Sequence, residues 1–241
     1  MLREHNLAAE TPTRRRSSGG STRTRAMIIR RIAVAAGVLA CASLILGFTS
    51  CASLKKFAYE GFDRDSEQQP ARVVEELHLN AGERVADLGA GGGYFTWRLA
   101  DAVGPTGKVY AVDIDPDMTG YLKSTAQQRG YANVETIVAS PDDPKLPEHG
   151  IDLLFTCNTY HHIENRPAYF ARLKRSLAPR GRVAIIDYRP EGFFQTIFPH
   201  ATATDAITRE MTEAGYKLDH RYDFLSDQSF LVFVPADARA S

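Results

Sequence analysis

The segment Val85–Tyr94 constrains the fold more than any other part of this 241-residue chain. It reads Val-Ala-Asp-Leu-Gly-Ala-Gly-Gly-Gly-Tyr, an apolar run that leads into closely spaced glycines. A glycine backbone can adopt positive φ and approach a ligand closely, because glycine has no Cβ. We therefore predict a buried strand, then a ligand-binding turn, then a helix. The residues that define the spacing are Asp87, Gly89, Gly91 and Gly93.

The carboxylate of Asp87 indicates which class of ligand this turn accepts. An anion two residues before the first glycine would repel phosphates, whereas it would attract a ligand that carries an ammonium or a sulfonium. The dinucleotide fingerprint Gly-x-Gly-x-x-Gly/Ala needs a small residue at position 94, where the chain has Tyr94. A phosphate-binding P-loop is excluded, because no Gly-Lys-Ser/Thr follows. A glycine turn without a ligand is the remaining alternative.

Short apolar runs alternate with amphipathic stretches through the rest of the chain. Short strands that are apolar on both faces and separated by helices are typical of a parallel sheet with helices on both sides. An amphipathic helix is predicted over 66–79, before the first strand. The other predicted elements are strands Arg84–Leu88, Lys108–Val112, Asn133–Val138, Ile151–Thr156 and Arg182–Ile186, and helices Tyr94–Ala102, Pro116–Arg129, Pro167–Leu177 and Ala203–Ala214.

The C-terminal part departs from this alternation. Two strand-like runs, Lys217–Phe224 and Phe230–Val234, are joined by a connection too short to hold a crossover helix. These two strands must therefore be antiparallel. The predicted fold class is α/β, a doubly wound, mostly parallel seven-stranded sheet closed by a C-terminal antiparallel hairpin.

The Asp-x-Gly-x-Gly-x-Gly motif resembles the first motif of the S-adenosylmethionine-dependent methyltransferases with a Rossmann-like fold. The resemblance continues at Leu177–Gly181, where Ala-Pro-Arg-Gly replaces the usual Lys-Pro-Gly-Gly, and it covers about residues 66–235. It implies the fold described above, S-adenosyl-L-methionine as cofactor, and methyl transfer to a small-molecule or lipid-like acceptor. Such transfer depends mainly on proximity and alignment, so it needs few catalytic side chains.

The cofactor-binding residues are expected where strands end, because ligands of open α/β sheets lie beyond the carboxyl ends of the strands. Asp87 and the three glycines would hold the methionine part. Asp113 lies twenty residues after Gly93 and would accept the ribose hydroxyls. A helix N-cap is the alternative role there, and it suits Asp115 before Pro116 better than Asp113.

The third and fourth strand ends supply the rest of the predicted cofactor site. The resemblance implies that the segment after the third strand borders the adenine, although Ala-Ser-Pro stands in place of the usual Gly-Asp-Ala. A proline-rich surface turn is the alternative for that segment. The candidate residues are Ser140, Asp142 and Asp143 for the adenine, and Asn158 after the fourth strand.

His161 and His162 are the predicted catalytic residues, facing the methyl acceptor. An imidazole can act as a general base near neutral pH or hold an acceptor hydroxyl. A structural helix start is one alternative, and a metal site with Asp187 is another. We expect no metal, because adjacent histidines on a regular element point apart. His200 is a further candidate with a weaker claim.

The N-terminal region does not have the composition of a folded domain. Residues 1–31 are predicted to form a basic disordered tail, with eight arginines against Glu4 and Glu10. The 19 residues of Ile32–Ser50 are uncharged and largely apolar, as in an export signal or a membrane anchor. Residues 51–65 are predicted as a linker and residues 66–241 as the methyltransferase domain.

Two features of this region bear on processing. Read from Met27, Met-Ile-Ile-Arg-Arg before an apolar run looks like an ordinary signal peptide, so we expect Met27 to be the true start. Cys51 follows Phe-Thr-Ser and resembles a lipoprotein cleavage box, with Cys41 as a second candidate. An uncleaved anchor is the alternative. Cys157 is the only other cysteine, so neither a disulfide framework nor a zinc site is predicted.

The distribution of charge bears on localisation and partners. The arginine excess predicts a cytoplasmic N-terminus and a membrane-associated or periplasmic domain. S-adenosylmethionine is made in the cytoplasm, so the alternatives are a cytoplasmic domain and an exported binding module without catalysis. The chain is neutral overall and its first 31 residues carry a surplus of six positive charges. The remainder is therefore acidic, which argues against nucleic acid as a partner.

Overall fold

Seven strands form one sheet in the computed structural model, in which residues 64–190 and 201–237 are described. The strands are β1 (Arg84–Leu88), β2 (Lys108–Asp113), β3 (Val134–Val138), β4 (Ile151–Cys157), β5 (Leu177–Tyr188), β6 (Tyr216–Tyr222) and β7 (Gln228–Pro235). Their order across the sheet is β3-β2-β1-β4-β5-β7-β6. The first five strands pair in parallel, whereas β7 runs antiparallel to both β5 and β6. The predicted doubly wound sheet with a C-terminal antiparallel hairpin is confirmed.

Helices cover both faces of this sheet, as its apolar strands require. One face packs against the helices that flank β4 to β6, around Tyr160, Phe170 and Met211. The other face packs around Phe95, Phe155 and Phe230. The helices are α1 (Asp65–Gln68), α2 (Pro70–Glu76), α3 (Thr96–Val103), α4 (Pro116–Arg129), α5 (Arg166–Leu173) and α6 (Thr204–Glu213).

The bounds of helix α4 were predicted correctly, because local residues begin and end it. The Asp115 side chain accepts a hydrogen bond from the Asp117 backbone N–H, which makes Asp115 the N-cap, and Pro116 occupies the first turn. Gly130 ends the helix with a left-handed backbone at φ 78°. Asp115, and not Asp113, is thus the capping residue, as the sequence indicated.

Two predicted helices differ from those observed. The helix predicted over 66–79 is broken into α1 and α2 at Gln69, whose backbone is left-handed at φ 40°. Pro70 begins α2, because proline disfavours a helical conformation in the residue before it. The helix predicted over Pro167–Leu177 ends at Leu173 and continues as a single 3-10 turn, since Leu177 already pairs with Ile151 of β4.

The predictions for the N-terminal region lie outside the described residues. These are the basic tail, the apolar run Ile32–Ser50, most of the linker, Cys41 and Cys51. His200 lies outside them as well. Within residues 64–190 and 201–237, none of the helices has the length and apolar character that crossing a membrane would require.

Candidate functional site

The candidate site lies where the chain changes sides of the sheet. From β1 the chain moves outward through β2 to β3, and then crosses to β4 on the other side of β1. Ligands of open α/β sheets bind at such a switch point, beyond the carboxyl ends of the strands. Asp87, Asp113 and Asp187 occupy strand ends here, and Asn158 directly follows β4.

The turn after β1 has a backbone that only glycine adopts without strain. Gly89, Gly91 and Gly93 have φ of 74°, 52° and 87°. A Cβ on Gly89 would overlap the Thr159 side chain, and one on Gly93 would lie 2.7 Å from the Trp97 ring. The turn therefore presents bare backbone at the switch point, as the sequence predicted.

Asp113 connects this turn to the end of β2. Its Oδ2 accepts a hydrogen bond from the Gly91 N–H at 2.9 Å, and its Oδ1 accepts one from the Asp115 N–H at 2.9 Å. Each carboxylate oxygen can accept a further hydrogen bond. The carboxylate thus lies beside the glycine turn, where the resemblance places the ribose hydroxyls.

Asp87 is a buried carboxylate at the base of the turn. It is 3 % exposed, and its Oδ2 accepts a hydrogen bond from the Thr96 hydroxyl at 2.6 Å. Burial raises the pKa of Asp87 to about 7; the Thr96 hydrogen bond opposes this and the nearby charge of Asp113 adds to it. A positively charged ligand group close to Asp87 would favour its ionised form, which is the complementarity that the sequence indicated.

Two exposed apolar side chains at neighbouring strand ends were missed by the sequence analysis. Ile114, directly after Asp113, is 62 % exposed, and Val138, at the end of β3, is 44 % exposed. They are the two most exposed large apolar side chains of the described residues. The signal that the sequence offered was Ile114 itself, an apolar residue directly after the carboxylate at the end of β2. Together they provide an apolar border on which a purine could pack.

The segment after β3 folds into a local turn. Ser140 and Asp143 exchange backbone hydrogen bonds, and the Asp143 carboxylate accepts one from the Lys145 N–H at 2.9 Å. Arg175 lies 3.7 Å from the same carboxylate. Asp142 is exposed at the outer side of the turn. The alternative of a surface turn therefore describes the geometry of this segment, while adenine contact by Ser140, Asp142 or Asp143 stays a prediction.

Asn158 has a constrained conformation at the end of β4. Its φ is 55°, and its backbone N–H donates to the Ile186 carbonyl at 2.8 Å. Its side-chain oxygen accepts a hydrogen bond from Gln228 at 2.6 Å. Asn158 is thus fixed beside the glycine turn by β5 and β7. Cys157 precedes it, and burial raises the pKa of its thiol, so it is not an activated nucleophile.

His161 forms a dyad with Asp187, which ends the apolar part of β5. The Nδ1 atom of His161 lies 2.7 Å from Oδ1 of Asp187, and the two side chains are 5 % and 0 % exposed. With Nδ1 bonded to a carboxylate, Nε2 is the ring nitrogen that can accept a proton. The direct contact also leaves no space for an ion between the two groups. From the sequence, the role predicted for Asp187 at this site was only that of an alternative metal ligand.

The two predicted catalytic histidines lie side by side. The ring centroids of His161 and His162 are 4.1 Å apart in a single 3-10 turn, so the expectation that they point apart was wrong. A 3-10 turn after a strand is too irregular for the helix and strand periodicities to apply. Among the described residues there is no group of three or more histidine, cysteine or acidic side chains arranged to hold a metal ion.

A cleft of about 600 Å³ opens beside the dyad. One wall contains Arg166, which forms a bidentate ion pair with Glu210 of α6 at 2.7 and 2.9 Å. Glu210 also accepts a hydrogen bond from the Tyr160 hydroxyl at 2.7 Å. Arg166 holds the pKa of Glu210 below its usual value. The lining residues are His161, His162, Ile163, Glu164, Asn165, Arg166, Pro167 and Glu210.

Comparisons with known proteins agree with this geometry. Residues 79–221 match a family described as a methyltransferase domain. A solved structure of a SAM-dependent methyltransferase from Aquifex aeolicus superposes with a TM-score of 0.67 at 25 % identity, covering 70 % of this chain and 91 % of that one. The cofactor that these similarities imply is S-adenosylmethionine.

Curated relatives match over a shorter stretch. A protein-L-isoaspartate O-methyltransferase from Aeropyrum pernix is 34 % identical over 117 residues, which are 47 % of this chain and 42 % of that protein. Aklanonic acid methyltransferase DauC from a Streptomyces species is 30 % identical over 113 residues, 47 % of this chain and 51 % of that protein. The chain thus spans about half the length of these curated relatives, and their names show that they act on unlike acceptors.

Proposed function

This chain belongs to the methyltransferase domain family, and we propose on that premise that it transfers a methyl group from S-adenosylmethionine to a small-molecule or lipid-like acceptor. The observation that carries the proposal is the glycine turn between two carboxylates. Three glycines with positive φ expose bare backbone, Asp87 lies buried beneath them, and Asp113 bonds to the Gly91 N–H.

The residues present fit an adenosine that carries a cationic amino acid end. Asp113 offers carboxylate oxygens to ribose hydroxyls, and Ile114 offers an apolar surface to the purine. Ser140, Asp142 and Asp143 remain candidates for the exocyclic amine. At the other end, Asp87 and the turn would face the ammonium, with Asn158 bordering this part of the site.

The dyad supports a general base for the acceptor. When bound, S-adenosylmethionine supplies an electrophilic methyl group on its sulfonium sulfur. Asp187 holds the Nδ1 side of His161, so Nε2 can accept the proton of an acceptor hydroxyl or amine. His162 lines the same cleft and would contact the acceptor. Closely packed side chains around the dyad keep it in one orientation, as efficient proton transfer requires.

Calorimetric titration of the full chain with S-adenosylmethionine tests the proposal. We expect micromolar binding, and a loss of at least about tenfold in affinity for Asp113→Ala, because a hydrogen-bonded carboxylate is removed. Asp117→Ala is the matched control, since Asp117 is exposed in the first turn of α4. A folded wild-type protein that binds neither S-adenosylmethionine nor S-adenosylhomocysteine would refute the proposal. Binding without turnover on any acceptor would favour the binding module without catalysis.

For localisation we propose a membrane-associated or periplasmic domain, with a cytoplasmic one as the alternative. The uncharged run Ile32–Ser50 between Arg30-Arg31 and Lys55-Lys56 supports this proposal. Fractionation of cells that produce the full chain tests it. Recovery of the intact protein in the cytosolic fraction would contradict it.

A further inference from the structure

Helices α1 and α2 belong to a segment that hydrogen bonds hold in place on two sides. On one side the Tyr94 hydroxyl, directly after the glycine turn, donates to Asp65 at 2.6 Å, and the guanidinium groups of Arg64 and Arg98 contact the Tyr94 ring. On the other side the Gln69 side chain donates to the Phe224 carbonyl at 3.0 Å. The segment Arg64–Glu76 thus connects the glycine turn to the C-terminal hairpin.

Gln68 lies under this segment with an unsatisfied amide. It is 3 % exposed, and neither its Nε2 nor its Oε1 has a hydrogen-bond partner among the residues that the structure describes. The Tyr188 phenol, at the end of β5, is its polar neighbour. Native proteins leave few buried polar groups unpaired, and such a group calls for an explanation.

Gln68 lies near polar side chains at the strand ends, whereas the same face is apolar within the sheet. Within the sheet this face carries side chains such as Phe155, Ile186 and Phe230. At the strand ends the same face carries Asp87, which is level with Phe155, and Tyr188, which follows Ile186 by two residues in β5. A change from apolar to polar side chains at the switch point is what a ligand site requires.

The backbone beside Gln68 is strained. Gln69 has a left-handed conformation at φ 40° and ψ 53°, which costs free energy for a residue with a side chain. Its amide is anchored on Phe224, and Pro70 restarts the helix after it. This arrangement fixes Gln68 on the inner side of the segment, above the strand ends.

We propose that the Gln68 amide binds the amino acid end of S-adenosylmethionine. Nε2 and Oε1 of Gln68 both lack a hydrogen-bond partner among the described residues, so a ligand that satisfies the amide must accept one hydrogen bond and donate another. The α-ammonium can donate to Oε1 and the α-carboxylate can accept from Nε2. Asp87, on the same face, supplies the charge opposite the ammonium. The inference rests on the proposed function, since it concerns the same cofactor.

The test compares two ligands that differ only at this end. S-adenosylhomocysteine has the amino acid group, whereas 5′-methylthioadenosine has the nucleoside and a thioether without it. Calorimetry with full-length Gln68→Met should show about tenfold weaker binding of S-adenosylhomocysteine and no more than about twofold change for methylthioadenosine. Gln68→Glu should show the same selective loss, because its carboxylate repels that of the ligand. Gln128→Met, an exposed glutamine on α4, is the control.

The outcomes separate this inference from the proposed function. Equal weakening of both ligands, or weakening of neither, would overturn the role of Gln68 while the cofactor assignment stands. A wild-type protein that binds neither ligand would overturn both. Selective loss of S-adenosylhomocysteine in Gln68→Met and Gln68→Glu, with unchanged melting temperatures, is the result that we expect.

Discussion

The two halves of the candidate site are built in different ways. The centre of the proposed cofactor half is the glycine turn with Asp113, within residues 87–113, and its main element is backbone conformation. The proposed acceptor half consists of His161, Asp187 and the Arg166–Glu210 pair, and its main element is side chains from three separate parts of the chain. In the first half, backbone atoms are accessible because the glycines have no Cβ. The second half depends instead on the functional groups of its side chains.

The two halves should differ in what a substitution can change. The proposed cofactor half would recognise an invariant ligand, for which a rigid glycine turn that lets the backbone approach closely suffices. The acceptor half lies in a cleft lined by side chains, where substitutions can change specificity while the sheet is kept. Variants should therefore separate cofactor binding from turnover, and the following four test that separation from the largest expected effect to the smallest.

His161→Gln should reduce the turnover number about 10²- to 10⁴-fold on any acceptor that the wild type methylates, because the general base is lost. The affinity for S-adenosylhomocysteine should stay within about twofold, since the dyad lies in the acceptor half. Asp187→Asn should lower turnover in the same direction. Steady-state kinetics and calorimetry together measure both effects. His220→Gln, exposed on β6, is the control, and equal loss in both assays would abolish the distinction between the halves.

Gly89→Ala should destabilise the fold by about 2–4 kcal/mol and abolish cofactor binding. The added Cβ would overlap Thr159, and φ is 74° at this position. Gly120→Ala is the matched control, because a Cβ there meets nothing within 4 Å; in the middle of α4 it should stabilise by up to about 1 kcal/mol. Urea unfolding followed by circular dichroism measures both. A Gly89→Ala protein of normal stability and affinity would show that the turn is not constrained by its backbone.

Asp87→Asn should remove a pH dependence of stability in the ligand-free protein. Because burial raises the pKa of Asp87 to about 7, the folded protein retains a proton that the unfolded chain releases from its ordinary pKa of 3.8 upward. This carboxyl therefore favours folding at low pH, and its contribution is lost as the pH rises from about 4 to 7. The stability of Asp87→Asn relative to wild type should increase by roughly 3 kcal/mol across that range. A difference that is constant between pH 4.5 and 8, in parallel urea titrations, would contradict the burial argument.

Glu210→Gln should cost about 1–2 kcal/mol in stability and leave cofactor affinity unchanged. It removes the carboxylate that Arg166 and Tyr160 share, in a partly exposed setting where ion pairs contribute modestly. Since Arg166 lowers the pKa of Glu210, the stabilisation is present at neutral pH and is lost on acidification. Glu213→Gln, exposed on the same helix, should change stability by less than about 0.5 kcal/mol. Thermal unfolding measures the stability of both variants. A loss of cofactor affinity in Glu210→Gln would contradict the expectation that the acceptor half does not affect cofactor binding.

The sequence predicted the fold and the conformation of the glycine turn because their signals are local. Helix α4 carries its own caps in Asp115, Pro116 and Gly130, and its predicted bounds were correct. The glycine spacing predicted a turn with positive φ, and the structure has one. The short connection before β7 required an antiparallel pair, which is also observed.

The acceptor half could not be read in the same way, because its contacts join distant residues. The pairing of His161 with Asp187 spans 26 positions, and no periodicity brings the two together. The break at Gln69 depends on Phe224, 155 residues away. The prediction that the adjacent histidines point apart was wrong, because strand and helix periodicities do not describe a 3-10 turn. Tertiary placement, and not local propensity, determines each of these features.

The position of β7 between β5 and β6 has a consequence for biosynthesis. A ribosome releases residues 228–235 after every other strand of the sheet, yet this segment has neighbours on both sides. Until it emerges, β5 and β6 each present an unpaired edge, and unpaired edges promote aggregation of nascent chains. A premature stop at codon 228 would therefore remove an interior strand while every other strand of the sheet is still made, and the quality-control machinery of the cell would meet an incomplete sheet.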